Sequence, residues 1–398
     1  MKTMINTNYA NLKNNYLFST VAEKVRVYSE AHPEADIIKL GIGDVTKPLV
    51  KSVIKALHDA VDENAQAETF MGYGPEQGYG FLREAIADYY SKLGAQIDAD
   101  EVFVSDGAKS DIANILDIFD KNCHVVIPDP VYPVYLDTNV MDGRKVSFLN
   151  ANESNNFLPM PEDLDITEKA EIIYLCSPNN PTGACYNKEQ LQAWVDFANA
   201  QGAIIFFDSA YEVFAHDTAL PRTIFAIPGA KTCAIEIASL SKTAGFTGTR
   251  CSYTVVPKEL VRDGQSLKDM WFRRQSTKFN GTPYIVQKAA EAVFTEEGYA
   301  EIMENIEGYQ ANAKIIADTL DELGIYYTGG HYSPYVWLKC PKGMSSWEFF
   351  DFLLEKAQVV GTPGEGFGKN GEGFFRLTAF NTPERTREAM DRLKAILQ

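Results

Sequence analysis

Short apolar runs alternate with amphipathic stretches along most of the chain. After the run Val102–Ser105, apolar residues recur at intervals of three and four from Ile112 to Phe119, which is the spacing of one helix face. Strands that alternate with helices are typical of a mostly parallel sheet covered by helices on both faces. The other predicted strands are His124–Ile127, Ile172–Cys176, Ala203–Asp208 and Cys233–Leu240, and a helix capped by Asn187 is predicted to run to about Ala200.

The two ends of the chain have other patterns. The first residues are polar and rich in Asn, and they contain one predicted helix at Thr20–Ala31. The last part has a long charged helix at Tyr299–Leu323, strands at Tyr335–Lys339 and Phe374–Thr378 with the helix Ser345–Lys356 between them, and a closing helix from Thr382. We therefore predict an N-terminal arm at 1–45, a large α/β domain at 46–285 and a smaller α+β domain at 286–398.

Composition and charge exclude several classes of partner. The chain has 398 residues, of which 45% are hydrophobic, so it has enough apolar residues for two or three domain cores. Its 37 Lys and Arg residues against 54 Asp and Glu residues give a net charge of −17. Without a basic stretch, such a chain is not expected to bind nucleic acid or an anionic membrane surface.

The cysteines and the start of the chain indicate a reducing environment. None of the six Cys residues forms a CxxC or a Cys/His cluster with zinc-ligand spacing, so we predict no metal site. The segment Met1–Tyr9 lacks the basic and apolar regions of a signal peptide, and no run of about 18 apolar residues is present. These features predict a cytoplasmic protein with free thiols.

Three polar segments follow predicted strands of the large domain, where ligands bind in open α/β sheets. Each has a structural explanation of its own, as a connector, a turn cap or a solvated lysine. Together they supply an amine that can form an imine, a carboxylate for a pyridinium nitrogen, a phenol for a phenolate, and Ser and Arg side chains for a phosphate. The segments are Ser177–Gly183, Asp208–Tyr211 and Ser239–Lys242, the last followed by Arg250.

With these motifs, the sequence resembles the fold-type I, aspartate-aminotransferase-like enzymes, which use pyridoxal 5′-phosphate (PLP). The resemblance extends from Gly41 to Arg376. It implies that Lys242 forms an imine with the cofactor and then moves the proton between the substrate α-carbon and the cofactor. It also implies that Asp208 pairs with the ring nitrogen, and that Tyr211 and Asn180 form hydrogen bonds with the ring oxygen.

The resemblance assigns the remaining contacts as well. Tyr132 would stack on the cofactor ring, and Arg376 would clamp the substrate α-carboxylate through two parallel hydrogen bonds. An anion is favoured where a helix begins, because its first backbone N–H groups are free. The implied phosphate contacts are Ser239, Ser241, Arg250 and the backbone N–H groups of Ala108 and Lys109.

Several segments are similar to a narrower family, the LL-diaminopimelate aminotransferases. The segments are Tyr16–Phe18, Leu40–Asp44, Gly72–Gly78, Asp106–Asp111, Thr277–Gly281 and Gly361–Gly364. Two departures, Ser19-Thr20 after the first segment and Leu240 beside the lysine, do not touch the implied chemistry. The implied substrate contacts are Tyr16, Gly43, Lys109, Tyr132, Asn180, Asn280 and Arg376, with Asn280 also near the cofactor.

This narrower resemblance implies a homodimer with shared active sites, in which Tyr73 reaches the phosphate of the neighbouring subunit. The arm would then pack on the small domain and on the partner subunit. A substrate with an amine at each end also needs a carboxylate away from the reacting amine, and Glu76 is our candidate for that contact.

The implied reaction interconverts tetrahydrodipicolinate plus glutamate and LL-diaminopimelate plus 2-oxoglutarate, in diaminopimelate and lysine biosynthesis. Two enzymatic alternatives stay open: a broader aminotransferase for aromatic or dicarboxylic amino acids, and a PLP-dependent C–S lyase. A silent relative that only binds a ligand or a protein is the non-enzymatic alternative. Such a relative is expected to have lost Lys242, Asp208 or Arg376, and all three are present.

Overall fold

The structure, a computed structural model, describes residues 3–12, 17–166, 169–216 and 219–398. The implied substrate contact Tyr16 lies outside these residues. The helices are α1 (Leu17–Ala31), α2 (Lys51–Asn64), α3 (Gly80–Lys92), α4 (Ala108–Asn114), α5 (Pro133–Asp142), α6 (Lys188–Gln201), α7 (Leu240–Thr243), α8 (Leu267–Lys278), α9 (Tyr284–Val293), α10 (Glu296–Glu322), α11 (Ser346–Ala357) and α12 (Pro383–Leu397). The strands are β1 (Ile38–Lys39), β2 (Val102–Ser105), β3 (Val125–Asp129), β4 (Val146–Asn150), β5 (Ile172–Cys176), β6 (Ile204–Asp208), β7 (Ala234–Ser239), β8 (Ser252–Val255), β9 (Val261–Arg262), β10 (Gln265–Ser266), β11 (Tyr327–Gly329), β12 (Tyr335–Lys339), β13 (Val359–Val360), β14 (Thr362–Pro363) and β15 (Phe374–Thr378).

Seven of the described strands form one large sheet, in the order β2-β8-β7-β6-β5-β3-β4. Strand β8 runs antiparallel to both of its neighbours, whereas the other adjacent pairs are parallel. The central strands are apolar at nearly every position because both faces are covered. In β5, for example, Ile173 and Leu175 pack in the core on one face, and Ile172 and Tyr174 pack in the core on the other. The predicted α/β class with a mostly parallel, mixed sheet is thus confirmed.

The predicted elements of the large sheet are confirmed with small shifts of their ends. Asn187 caps α6 by accepting from the backbone N–H of Gln190, and Gly202 ends the helix in the left-handed conformation. The predicted helix after Ser105 is shorter than its apolar pattern, because α4 ends at Asn114 and continues as a 3₁₀ turn. Strands β4 and β8 were not predicted, since only one residue of β4 is buried and β8 mixes polar with apolar residues.

A second, antiparallel sheet has the order β11-β12-β15-β14 in the described chain. Helices α11 and α12 share its core, and so do Leu17 and Val21 of α1. The N-terminal segment also joins this unit through β1, which pairs with β13. Helix α9 contains the proposed boundary at residue 285 and contacts α2 and α3. The domain limits themselves stay a prediction.

Three further features concern possible partners. Among the helices of the described residues, none is both long enough and apolar enough to cross a bilayer. The described His, Cys, Asp and Glu side chains form no group that could hold a metal ion. All six cysteines are free thiols.

The turn after β6 is fixed by a buried carboxylate on the neighbouring strand. Glu236 of β7 is 1% exposed and accepts four hydrogen bonds. One comes from the Ser209 hydroxyl at 3.0 Å, so the residue between Asp208 and Ala210 is tied to the sheet. The other donors are the Tyr90 and Thr223 hydroxyls and the backbone N–H of Ile224, at 2.7, 2.7 and 3.0 Å.

Replacing Glu236 should destabilise the large sheet in proportion to the donors left without an acceptor. We expect Glu236→Ala to lower the free energy of unfolding by about 3 kcal/mol or more, because buried unpaired donors cost about 1–3 kcal/mol each. Glu236→Gln retains one carbonyl oxygen and should lose about half as much. Urea unfolding followed by fluorescence measures both, with Glu307→Ala on the exposed face of α10 as the control. Equal unfolding free energies for Glu236→Ala and the control would contradict this role of Glu236.

Candidate active site

Two adjoining cavities of about 740 and 350 Å³ lie at the carboxyl ends of β5, β6 and β7. The larger cavity reaches Arg376 on the second sheet, and the smaller one reaches Asp208 and Arg250. They form one continuous site because they have several lining residues in common. These are Gly43, Lys109, Tyr132, Asn180, Tyr211 and Lys242. The structure therefore brings together most of the residues that the sequence predicted.

Asp208 ends β6 at the floor of the smaller cavity and is 7% exposed. Its Oδ2 accepts a 2.5 Å hydrogen bond from the Tyr135 hydroxyl, and its Oδ1 accepts from the backbone N–H of Ala210 at 3.0 Å. Burial raises the pKa of Asp208, and these two hydrogen bonds act in the opposite direction. The carboxylate is therefore held in one orientation, as a group that pairs with a cationic nitrogen requires.

A chain of hydrogen bonds joins the phenol and the guanidinium of the site. Asn180 Nδ2 donates to the Tyr211 hydroxyl at 3.3 Å, and Asn180 Oδ1 accepts from Nη1 of Arg376 at 2.6 Å. The Tyr211 hydroxyl also lies 2.8 Å from the Tyr335 hydroxyl. Burial raises the pKa of Tyr211 well above its ordinary value, so its hydroxyl is protonated near neutral pH. Asn180 thus links Tyr211, which the resemblance assigns to the ring oxygen, with Arg376, which it assigns to the substrate carboxylate.

Arg376 lies on β15 and is 1% exposed. Its Nη2 donates to the carbonyl of Gly41 at 2.8 Å, whereas its Nε is buried without a partner. Its guanidinium carbon lies 4.4 Å from the ring centre of Tyr335 and 4.8 Å from that of Phe367. A buried guanidinium that retains an unpaired N–H and lines a cavity suits a carboxylate ligand.

Lys242 lies in the short helix α7, directly after β7, and lines both cavities. Its Nζ lies 6.0 Å from the ring centre of Phe380. Burial lowers the pKa of Lys242 to about 8, Asp44 opposes this shift, and the positive charges of Arg376 and Arg250 add to it. About a tenth of the amine is then unprotonated at pH 7, far more than for an ordinary lysine, and a nucleophile or a general base requires the unprotonated form.

The other end of the smaller cavity is rich in groups that bind anions. Ser239, Ser241, Arg250 and the first residues of α4, Ala108 and Lys109, line it. Arg250 donates from Nη1 to the Ser241 hydroxyl at 3.4 Å and adopts a positive φ of 65°, a strained conformation that is common at functional sites. A Cβ atom at Gly107 would lie 2.0 Å from Nη2 of Arg250, so glycine is needed for this approach to the helix start.

Three predicted contacts lie outside the cavities of this chain. Tyr73 is 94% exposed, Asn280 is exposed and Glu76 is half-buried. They come from two neighbouring loops, since a Cβ atom at Gly281 would lie 3.2 Å from the Pro75 carbonyl oxygen. These residues therefore lie on loops that approach each other, and none of them lines the cavities that contain Lys242.

Two residues of the site were missed by sequence reasoning. The Tyr135 hydroxyl donates a hydrogen bond to Asp208, and Tyr335 contacts both Tyr211 and Arg376. Tyr135 follows Tyr132 by one helical turn, which was an available signal that both face the same region. Nothing local distinguishes Tyr335 from an ordinary apolar strand residue.

Comparison with known proteins agrees with this geometry. The family model "Aminotransferase class I and II" matches residues 35–393. The chain is 53% identical to the LL-diaminopimelate aminotransferase of Agathobacter rectalis, over 98% of this chain and 99% of that protein. It is 52% identical to the enzyme of the same name from Lawsonia intracellularis, over 98% of each. The solved structure of L,L-diaminopimelate aminotransferase from Chlamydomonas reinhardtii superposes with a TM-score of 0.93, at 41% identity and full coverage of both chains.

The lowered pKa of Lys242 predicts a distinctive pH dependence of its reactivity. Only the unprotonated amine reacts with acetic anhydride, so labelling of Lys242 should increase with pH around a midpoint of about 8. An ordinary lysine has its midpoint about two pH units higher, near 10.4. Competitive labelling of protein stripped of small molecules, read by peptide mass spectrometry, measures this midpoint. Lys258 is the internal control, because hydrogen bonds to Asp100 and Asp98 raise its pKa. A labelling midpoint near 10.4 for Lys242, as for an ordinary lysine, would contradict its lowered pKa.

Proposed function

The chain belongs to the class I and II aminotransferases, and we propose that it transfers an amino group between LL-diaminopimelate and 2-oxoglutarate with PLP as its cofactor. Relatives that are similar along nearly the whole chain have the name of this activity. The proposal depends on one observation. Lys242, Asp208 and Arg376 all line the same continuous site.

The donor set of the smaller cavity fits a phosphorylated pyridine aldehyde. The amine of Lys242 would bind the aldehyde carbon, the buried Asp208 would hold the protonated ring nitrogen, and Tyr132 would cover the ring. Arg250 would hold the phosphate together with Ser239, Ser241 and the N–H groups of Ala108 and Lys109. Thr247 also lines this cavity and adds a further hydroxyl group to it.

When bound, PLP supplies an electron sink for the electron pair that remains when the substrate α-carbon loses its proton. Arg376 binds the α-carboxylate and so directs the α-carbon toward Lys242. The amine of Lys242 would take the α-proton and deliver it to the cofactor carbon that bore the aldehyde, and it would move the proton in the opposite direction in the second half-reaction. Asp208 would pair with the protonated ring nitrogen; burial raises the pKa of this carboxyl, and the hydrogen bonds from Tyr135 and Ala210 oppose that shift. Tyr211 and Asn180 would donate hydrogen bonds to the ring oxygen, and Asn180 also accepts one from Arg376.

The remaining predicted contacts fit a homodimer in which each site takes residues from two chains. The exposure of Tyr73 and Asn280 supports this arrangement, because a second copy would cover the face that carries them. The partner's Tyr73 would then reach the phosphate, and the partner's Glu76 and Asn280 would reach the distal end of the substrate. Tyr16 and Gly43 would complete the substrate contacts. Six free thiols support a cytoplasmic location.

The test is a set of single half-reactions with the PLP-loaded protein. We expect LL-diaminopimelate and glutamate to convert the absorption band of the loaded protein into that of the aminated cofactor, with little conversion by aspartate or phenylalanine. Lys242→Ala should abolish the conversion while retaining the fold, measured by circular dichroism. Conversion by aspartate or phenylalanine at similar rates would favour the broader aminotransferase. A wild-type protein that binds no PLP would contradict the proposal as a whole.

Glu76 provides a test of the distal contact. Glu76→Gln removes a carboxylate that would pair with the distal ammonium, so we expect kcat/KM for LL-diaminopimelate to fall about tenfold or more. The value for glutamate, which has no distal ammonium, should stay within about twofold. Glu68→Gln, an exposed acid of the preceding segment, is the matched control and should change neither value. Equal losses with both substrates would remove Glu76 from this role.

A further inference from the structure

Tyr335 occupies the junction between the two sheets at the site. It is 1% exposed, its hydroxyl lies 2.8 Å from that of Tyr211, and its ring faces the guanidinium of Arg376 at 4.4 Å. With the Asn180 hydrogen bonds, these contacts close a ring of four side chains. Two members follow strands of the large sheet, and two lie on strands of the second sheet. The proposed function gives a role to the other three members and none to Tyr335.

The strand pairing explains why Tyr335 reaches both neighbours. Trp337 lies opposite Arg376 in the antiparallel pair β12–β15, so Tyr335, two residues earlier, is on the same face as the guanidinium. Its hydroxyl then projects past Arg376 toward Tyr211. Gly43 leaves the space for it, because a Cβ atom there would lie 2.6 Å from the hydroxyl oxygen.

Each hydroxyl of the Tyr335–Tyr211 pair has a limited number of hydrogen-bonding positions, and either oxygen can be the donor in their contact. A phenol has one proton and accepts two hydrogen bonds. Burial raises the pKa of both Tyr335 and Tyr211, so each hydroxyl has its proton near neutral pH. Asn180 Nδ2 already donates to the Tyr211 oxygen. If Tyr335 donates as well, both acceptor positions of the Tyr211 oxygen are filled. The Tyr211 hydroxyl can then donate its own proton only toward the cavity.

We propose that Tyr335 is a positioning residue that donates its hydroxyl proton to Tyr211, and thereby orients and strengthens the hydrogen bond that Tyr211 donates into the cavity. Donors in a chain polarise one another, so a hydroxyl that accepts a hydrogen bond is itself a better donor. The inference rests on the proposed function, in which the acceptor in the cavity is the ring oxygen of PLP. The ring of Tyr335 has a separate effect, because it faces Arg376 and does not depend on the hydroxyl.

The test is a spectroscopic titration that measures the pH midpoint of the absorption change of bound PLP. Bound PLP absorbs differently when the Lys242 nitrogen attached to it is protonated and when it is not. A hydrogen bond from Tyr211 stabilises the negative ring oxygen of the unprotonated form, so weakening that bond raises the pH midpoint. We expect Tyr335→Phe to raise it by about half a pH unit, and Tyr211→Phe to raise it more. The KM for glutamate should stay within about twofold in Tyr335→Phe, because the ring remains on Arg376.

A double mutant separates positioning from a general structural effect. If Tyr335 acts through Tyr211, adding Tyr335→Phe to Tyr211→Phe should shift the midpoint no further. Tyr186→Phe is the matched control, because Tyr186 is also buried and donates one hydrogen bond, to the Pro159 carbonyl at 2.8 Å, outside the site. Its midpoint should equal that of the wild type.

Two results would overturn the role of Tyr335. One is an unchanged midpoint in Tyr335→Phe, and the other is a shift of the same size in the presence and absence of the Tyr211 hydroxyl. Failure of the proposed function is distinguishable from both, because the wild-type protein itself would then bind no PLP or transfer no amino group.

Discussion

A positive charge buried between two sheets constrains the whole region of the site. Removing a charged group from water costs several kcal/mol unless other groups compensate for the lost hydration. For Arg376 these groups are the Asn180 side chain, the Gly41 carbonyl and the ring of Tyr335. They come from the large sheet, the N-terminal segment and the second sheet. These three parts must therefore keep one relative position for the charge to be satisfied, and that position also forms the cavity.

The sequence predicted the part of the site that depends on neighbouring strands. Asp208 and Ser239 end β6 and β7, and the parallel register of these strands places the residues that follow side by side. The same reasoning did not find Tyr335, although its strand was predicted with the correct bounds. Its partner Tyr211 is 124 residues away, and a buried strand position has the same sequence pattern whether or not its hydroxyl has a specific partner.

Tyr73 and Asn280 show a different limit of inference from sequence. Resemblance associates a residue with a kind of site, but it does not say which copy of the chain completes that site. In the single chain, Tyr73 is 94% exposed, and Asn280 is exposed in the loop that meets the segment around Pro75. In the proposed dimer the second copy would cover the ring of Tyr73, which the single chain leaves in water, and the same face would complete the partner's site.

The electrostatics of the site link the binding of anions to the basicity of Lys242. The chain has a net charge of −17, yet the site concentrates positive side chains at its two ends, with Arg250 at one and Arg376 at the other. Both guanidinium groups lower the pKa of Lys242. Burial is the largest cause of the lowered pKa, and a phosphate beside Arg250 or a carboxylate beside Arg376 would offset only the part that comes from the positive charges. In the proposed function, binding of the substrate α-carboxylate beside Arg376 would therefore raise the pKa of the Lys242 amine that is to take the α-proton.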